Sequence, residues 1–308
     1  MPANHRYRSL DDRMLDCVYF APRGARRMIE MGMQVAQRHL TTFDRLIGVV
    51  GEAGSGKSIL LKGMFPGLEL SNDDEGVNVR PLPILDLEGG FYQPHTYHFD
   101  MRFEMAFTQP HVLADAVREA LKLGRRVVVE HFDLLYPHLD MNADLLVGVG
   151  EEITVTRPTI FGPEPQDLAD IAFKSIKFRR MAHTAEDLVE RYLWNRDLKE
   201  YTHSEVRHGF VLAFAKYPEL DPLDLEKWMH DKVAKDIPVC YVDDEHIRFG
   251  DKLHRCTGPR MHVSSTAQIE NFRVLPELRY DPMDDTFLLV GLVGEPHANH
   301  RDLNKITS

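Results

Sequence analysis

Residues Gly51, Glu52, Ala53, Gly54, Ser55, Gly56, Lys57 and Ser58 have the spacing G-x-x-x-x-G-K-[ST]. Each fixed type in that pattern has a use at a polyphosphate. Glycines let the backbone wrap an anion with its amides pointing inward. Lys57 carries a charge that can reach outer phosphates, and the Ser58 hydroxyl can ligate magnesium. Gly51 through Ile59 therefore form the candidate nucleotide site, with ATP or another nucleoside triphosphate and Mg as the expected ligands. Four fixed positions arise by chance in roughly one chain in a hundred of this length.

Phosphoryl transfer also needs carboxylates near the outer phosphate. ELSNDD (69–74) places Asp73 and Asp74 about fifteen residues past the loop, where a solvated acidic turn is the plainer reading. RRVVVE (125–130) reads as a strand ending in Glu130. His131 and Asp133 follow on the same loop, where polar strand-end residues facing solvent are also common.

The elements around these residues alternate. RLIGVV (45–50) is a β-branched run that reads as a buried strand, and SILLKGMF (58–65) has helical periodicity. A helix opening just after the glycines adds its N-terminal dipole to an anion site. LPILDL (82–87) is a second apolar run, HVLADAVREALKLG (111–124) an amphipathic helix with a glycine stop, and ADLLVGVG (143–150) a further strand. Upstream, Arg23–Leu40 has the spacing of a half-buried helix within a helical lead-in over 1–43. Strands alternating with helices predict an α/β domain over 1–160 with a mainly parallel sheet. After a turn-rich boundary, 166–200 and 221–235 read as helical. PVCYV, HIRFG, NFRVL and TFLLVGLVG then read as short strands, which predicts a C-terminal α+β domain. The expected division is 1–160, a helical lid or linker over 161–200, the α+β domain over 201–295, and a loose tail over 296–308.

With its loop in that context, the first half resembles P-loop NTPases, and in particular kinases of the uridine kinase and phosphoribulokinase type. The resemblance rests on the loop, the paired Asp73 and Asp74, the Phe-Asp pair in YHFDMRFEMAFTQPHVL (97–113) and the strand VVVEHFDLLYP (127–137). It implies Asp73 or Asp74 as the base, Asp100 and Arg102 near the acceptor, and Glu130 at the metal. KFRRMAHTAEDLVERY (177–192) resembles the lid of those kinases, which implies Arg179 and Arg180 over the phosphates; a charged helix without that role fits equally.

Residues 246–275, HIRFGDKLHRCTGPRMHVSSTAQIENFRVL, resemble the second additional domain of alanyl- and threonyl-tRNA synthetases. Cys256, Gly258, His262, Val263, Thr266, Ile269 and Phe272 carry that likeness. It implies a zinc-binding cysteine and histidine in a domain that removes wrong amino acids from tRNA. The family spaces those two ligands four apart, whereas Cys256 and His262 are six apart. It also has an upstream H-x-x-x-H on a helix, since histidines at i and i+4 share one face. Here HTAED gives His183 and Asp187, a stretch that also serves the lid reading, and HSEVRH gives His203 and His208, five apart. Cys256, His262, His203 and His208 are the candidate zinc ligands.

Composition bounds the function. The 308 residues suffice for two modest domains, and 43% hydrophobic with 28% charged residues excludes a disordered chain or a coiled coil. A net charge of −11 argues against non-specific nucleic-acid binding, so no DNA partner is expected. No apolar run reaches the ~18 residues of a membrane span, and the N-terminus lacks a signal-like apolar core. Three scattered cysteines fit a reducing compartment, so a cytoplasmic location is expected. The reading that follows is an ATP-binding, kinase-like phosphotransferase acting on a nucleoside- or tRNA-related acceptor, which the C-terminal domain helps to choose. Its alternatives are a zinc-dependent deacylase of mischarged tRNA with a regulatory nucleotide site, and a nucleotide-sensing switch.

Overall fold

The computed structural model describes residues 14–71, 82–85, 95–256, 258, 261–294 and 303–305. It is a mixed α/β structure whose chain divides into two compact units, Met1–Ala21 with Arg27–Lys174, and Pro22–Arg26 with Ser175–Ser308. The boundary falls inside one continuous helix, Pro165–Trp194. No helix among the described residues is long and apolar enough to cross a membrane.

The first unit is built on β1 (Cys17–Phe20), α1 (Ala25–His39), β2 (Leu46–Val50), α2 (Lys57–Met64), β3 (Thr96–Asp100), α3 (Met101–Glu104), α4 (Pro110–Lys122), β4 (Arg126–Glu130), α5 (Phe132–Leu135), β5 (Leu145–Val149), β6 (Glu152–Thr156) and the start of α6 (Pro165–Trp194). Its sheet has the order β1-β6-β5-β2-β4-β3. β5, β2, β4 and β3 are mutually parallel, and β6 and β1 add antiparallel at one edge. The parallel strands are nearly continuous apolar runs because both faces are covered. Alternation assigns the faces. Leu46, Val50, Val127 and Val129 pack with Leu113, Val117 and Phe132, while Ile47, Val49, Val128 and Val147 pack with Met28, Val35, Leu60 and Leu61.

The helix expected over Arg23–Leu40 is present as α1, and the strand expected at 45–50 as β2. The apolar run at 82–87 is not a strand where it is described: Pro83–Leu85 is a single 3-10 turn, and 86–87 lie outside the described residues. The lead-in is not wholly helical either, because β1 precedes α1 and takes the free edge of β6. β6 itself lies in a stretch that the sequence patterning did not mark.

In the second unit, the rest of α6, β7 (Thr202–Val206), β8 (Gly209–Phe214), α7 (Pro222–Ala234), β9 (Val239–Asp243), β10 (His246–Phe249), β11 (Lys252–Arg255), β12 (Arg273–Val274), β13 (Arg279–Asp281) and β14 (Thr286–Leu292) form an α+β arrangement. One antiparallel sheet runs β11-β10-β9, and a second runs β12-β14-β8-β7 with β13 also on β14. α6 packs Met181, Ala185, Leu188, Val189 and Tyr192 against Phe210, Leu212, Ile247 and Phe272. The closing segment is not uniformly loose: Leu303 is buried with Val206, Val211, Val290 and Leu292, and Arg207 bonds Asn304 and Lys305.

Candidate functional sites

In the first unit the parallel strands present their C-terminal ends together, Val50, Asp100, Glu130 and Val149. β2 lies between β4 and β5, so the chain leaves its end toward one side and later returns on the other. Such a reversal point is where open parallel sheets place ligands. The glycine loop starts here. Gly51, Gly54 and Gly56 have φ of 148°, 78° and 90°. A Cβ on Gly51 would meet the Val149 carbonyl oxygen at 2.5 Å, so only glycine fits that turn. Gly56 caps α2 with no side-chain hydrogen bond to the first turn, which leaves helix amides available to an anion. Ala53 and Gly54 are exposed at the crest, Glu52 and Ile59 are half-buried, and Ser55 is buried.

Lys57 is 4% exposed, and its ammonium donates to the carbonyls of Gly51 and Glu52, both at 3.0 Å. Its charge lies 4.0 Å from Glu130 Oε2. The Ser58 hydroxyl donates to Glu130 Oε1 at 2.9 Å. The expected serine, lysine and strand-tip carboxylate thus converge. Burial lowers the Lys57 ammonium, opposed mainly by the Glu130 charge. Burial would by itself raise the Glu130 carboxyl, but the His98 hydrogen bond, the Lys57 ammonium and the Ser58 hydroxyl together hold it below the usual carboxylate range.

The sequence reading overlooked His98. Its Nδ1 accepts from the Ser71 amide at 3.1 Å, so its proton belongs on Nε2, which lies 3.2 Å from Glu130 Oε1. His98 thereby orients Glu130 and tethers the start of the ELSNDD segment. Asp73 and Asp74 lie outside the described residues. Asp100 stands opposite Glu130 in the register of β3 and β4 and caps α3 by accepting from the Phe103 amide, while Arg102 is exposed. His131 has a left-handed backbone (φ 54°) and is buried; burial, then the Lys57 charge, pushes its pKa down to about 4. Burial raises the Asp133 carboxyl.

The second unit gathers a different set. Cys256 Sγ lies 3.3 Å from His262 Nε2 and 3.4 Å from His183 Nε2. Asp187 Oδ1 lies 3.9 Å from His183 Nε2, and its Oδ2 lies 3.6 Å from His262 Nε2. Four ligand atoms, one each from His183, Asp187, Cys256 and His262, fall within 4.8 Å of one another. Zinc bound at ~2.0–2.1 Å to nitrogen or oxygen and ~2.3 Å to sulfur has tetrahedral edges of about 3.3–3.6 Å, so the set fits that ion. Cys256 and His262 are therefore together, as expected from the sequence. His203 and His208 are not with them.

The reason lies in the hairpin of β7 and β8. His203 Nδ1 lies 3.0 Å from Glu186 Oε1, a carboxylate that also binds Arg23, and its Nε2 lies 3.4 Å from Glu190 Oε1. His208 sits in the turn and stacks on Phe178 with ring centroids 3.7 Å apart. The upstream pair is instead His183 and Asp187, one turn apart on α6. Arg179 of that helix is buried and donates to the Pro22 carbonyl.

Neighbouring groups fix the ligands. Thr184 Oγ1 donates to the Arg180 carbonyl and accepts from the Val263 amide. It is left to accept from His262 Nδ1 at 3.3 Å, which turns the Nε2 lone pair toward Cys256. A Cβ on Gly258 would meet His183 Cε1 at 2.7 Å, so glycine is needed for this close approach. Burial, then the Asp187 charge, pushes the Cys256 thiol up, and burial pushes His262 down. A divalent cation would reverse the balance at the thiol.

No protein-family model matches the chain, and no curated protein matches it.

Proposed function

We propose that the first unit is a P-loop domain that binds a magnesium–nucleoside triphosphate and transfers its terminal phosphoryl group to a hydroxyl of a nucleoside- or tRNA-related acceptor. The observation that supports this reading is the convergence of Lys57, Ser58 and Glu130 at the C-terminal end of the parallel strands, against an uncapped helix start. The loop amides and Lys57 would hold the phosphates, and Lys57 would exchange its two loop carbonyls for phosphate oxygens. Ser58 and Glu130 would hold magnesium, which supplies charge neutralisation at the phosphates. His98 keeps Glu130 in place. Asp73 or Asp74 is the proposed base, and the acceptor class rests on the synthetase-like segment.

The test is transfer from γ-labelled ATP and magnesium, with nucleosides and bulk tRNA offered as acceptors and Lys57→Ala run alongside. Label on an acceptor, lost in the variant, supports phosphotransfer. Tight binding without transfer or hydrolysis would replace it with the nucleotide-sensing reading, and unchanged ATP affinity in Lys57→Ala would refute the site.

A second reading is favoured by the set His183, Asp187, Cys256 and His262. These residues would hold zinc in a domain that deacylates mischarged tRNA, where the ion would polarise an ester carbonyl or acidify water. Chelator-sensitive deacylation without ATP, lost in Cys256→Ser, would support it. Absence of zinc from the native protein would remove it.

A further inference from the structure

Asp187 faces more than one group of ligands. Its Oδ2 lies 3.7 Å from His254 Nε2, and Glu190 Oε2 lies 3.8 Å from the same nitrogen. Asp187, Glu190 and His254 form a second set of ligand atoms within 4.8 Å of one another. Asp187 and His254 are 5% and 4% exposed, yet Asp187 Oδ2 and His254 Nε2 have no hydrogen-bond partner among the described residues. Buried polar atoms without partners are rare and costly. These two point at each other across a gap too long for a hydrogen bond and close to the ligand–ligand edge of a metal site.

We propose that the second unit holds two divalent cations bridged by the Asp187 carboxylate. The first would lie among His183, Cys256, His262 and Asp187; the second among Asp187, Glu190 and His254. The proposal rests on the reading of the first set as a metal site and adds a position to it. The fold supplies it from two segments. His183, Asp187 and Glu190 lie at i, i+4 and i+7 on α6 and so share one face. His254 lies in β11 and Cys256 just past its end, and both approach Asp187.

His203 takes a role here that differs from direct ligation: its Nε2 lies 3.4 Å from Glu190 Oε1, the oxygen other than the one facing His254. Trp194 stacks on His254 with centroids 5.1 Å apart and holds the ring in orientation. The first position, with sulfur, nitrogen and oxygen donors, suits zinc; the second, with two carboxylates and an imidazole, suits zinc or manganese.

The experiment is metal stoichiometry on the full chain, reconstituted with zinc and freed of excess by gel filtration. Two zinc ions per chain are expected, falling to one in His254→Gln and in Glu190→Gln. Cobalt substitution tells whether the variants remain folded, because the thiolate-to-cobalt absorption band reports the Cys256 position alone. X-ray absorption of the two-zinc protein should show zinc–zinc scattering at about 3.5–4 Å. A wild-type protein that saturates at one zinc overturns the proposal and leaves the first position standing. A protein that takes none overturns both. Two ions retained in both variants, or no zinc–zinc scattering, place the second ion elsewhere and overturn the proposal even if a variant fails to fold.

Discussion

Glu130→Gln tests the nucleotide site at its most buried charge. Glu130 is 1% exposed, with Ser58 and His98 on Oε1 and Lys57 near Oε2. Glutamine keeps one oxygen for the two donors but turns an N–H toward the ammonium. Lys57 then loses its nearest counter-charge while retaining two carbonyl acceptors. Removing one partner of a buried pair costs about 3–5 kcal/mol, and the retained carbonyls place this case near 3. For a unit of this size that lowers Tm by roughly 6–12 °C. Two measurements check it: thermal unfolding without ligand, and titration of a fluorescent ATP analogue with and without magnesium. In the wild type magnesium should tighten binding; in Glu130→Gln the two curves should coincide. The double variant Lys57→Met with Glu130→Gln should be less destabilised than the two single losses added together. A Tm change within about 1 °C, far below the shift derived above, together with an unchanged magnesium effect, would refute the role assigned to Glu130.

The acid limb of stability should carry two signatures. His131 binds its proton near pH 4 in the folded chain and near 6.5 when unfolded, so unfolding takes up a proton between these values and stability falls as pH drops through that window. His131→Asn, a residue that accepts its left-handed backbone, should flatten that loss, which is on the order of 2–3 kcal/mol, as read from denaturant midpoints at pH 4 and 7. Glu130, with its carboxyl held low, contributes stability above about pH 4.5 that is lost only at lower pH, and Glu130→Gln should remove that second step. In the second unit, zinc must displace the proton of a thiol that burial has raised, whereas His262 is already neutral. Calorimetry in buffers of different ionisation enthalpy should therefore show proton release, with zinc affinity rising about tenfold per pH unit for each proton displaced. Gly258→Ala should press on His183 and weaken zinc binding by about 10–100-fold in a chelator competition; unchanged affinity would show that the ring is not held there.

The sequence by itself determined the features that are local. The glycine spacing, the apolar strand before it and the helical period after it lie within about twenty residues, so pattern and turn chemistry were enough to place Gly51–Ser58, and the apolar run of β4 was enough to mark Glu130 as a strand end. The helices at 165–194 and 222–234 and the strands from 239 to 249 and 286 to 292 followed from the same short-range signals. β3 was harder, because Thr96–Asp100 mixes polar and aromatic residues and becomes a strand by pairing along β4. β1 likewise depends on the open edge of β6.

Tertiary structure alone decided the partners of these residues. His98 reads as one more histidine until β3 pairs with β4 and brings it to Glu130, 32 positions away. His203 and His208, five apart in sequence, are not a ligand pair, because the hairpin commits one to carboxylates and the other to an aromatic ring. His183 and Asp187 were visible at the i, i+4 spacing, but in sequence that pair fits the charged face of a long helix equally. Their chemistry appears only when that face meets Cys256 and His262, about seventy residues on, because a metal reads positions in space while sequence periodicity reports only which side of its own element a residue occupies.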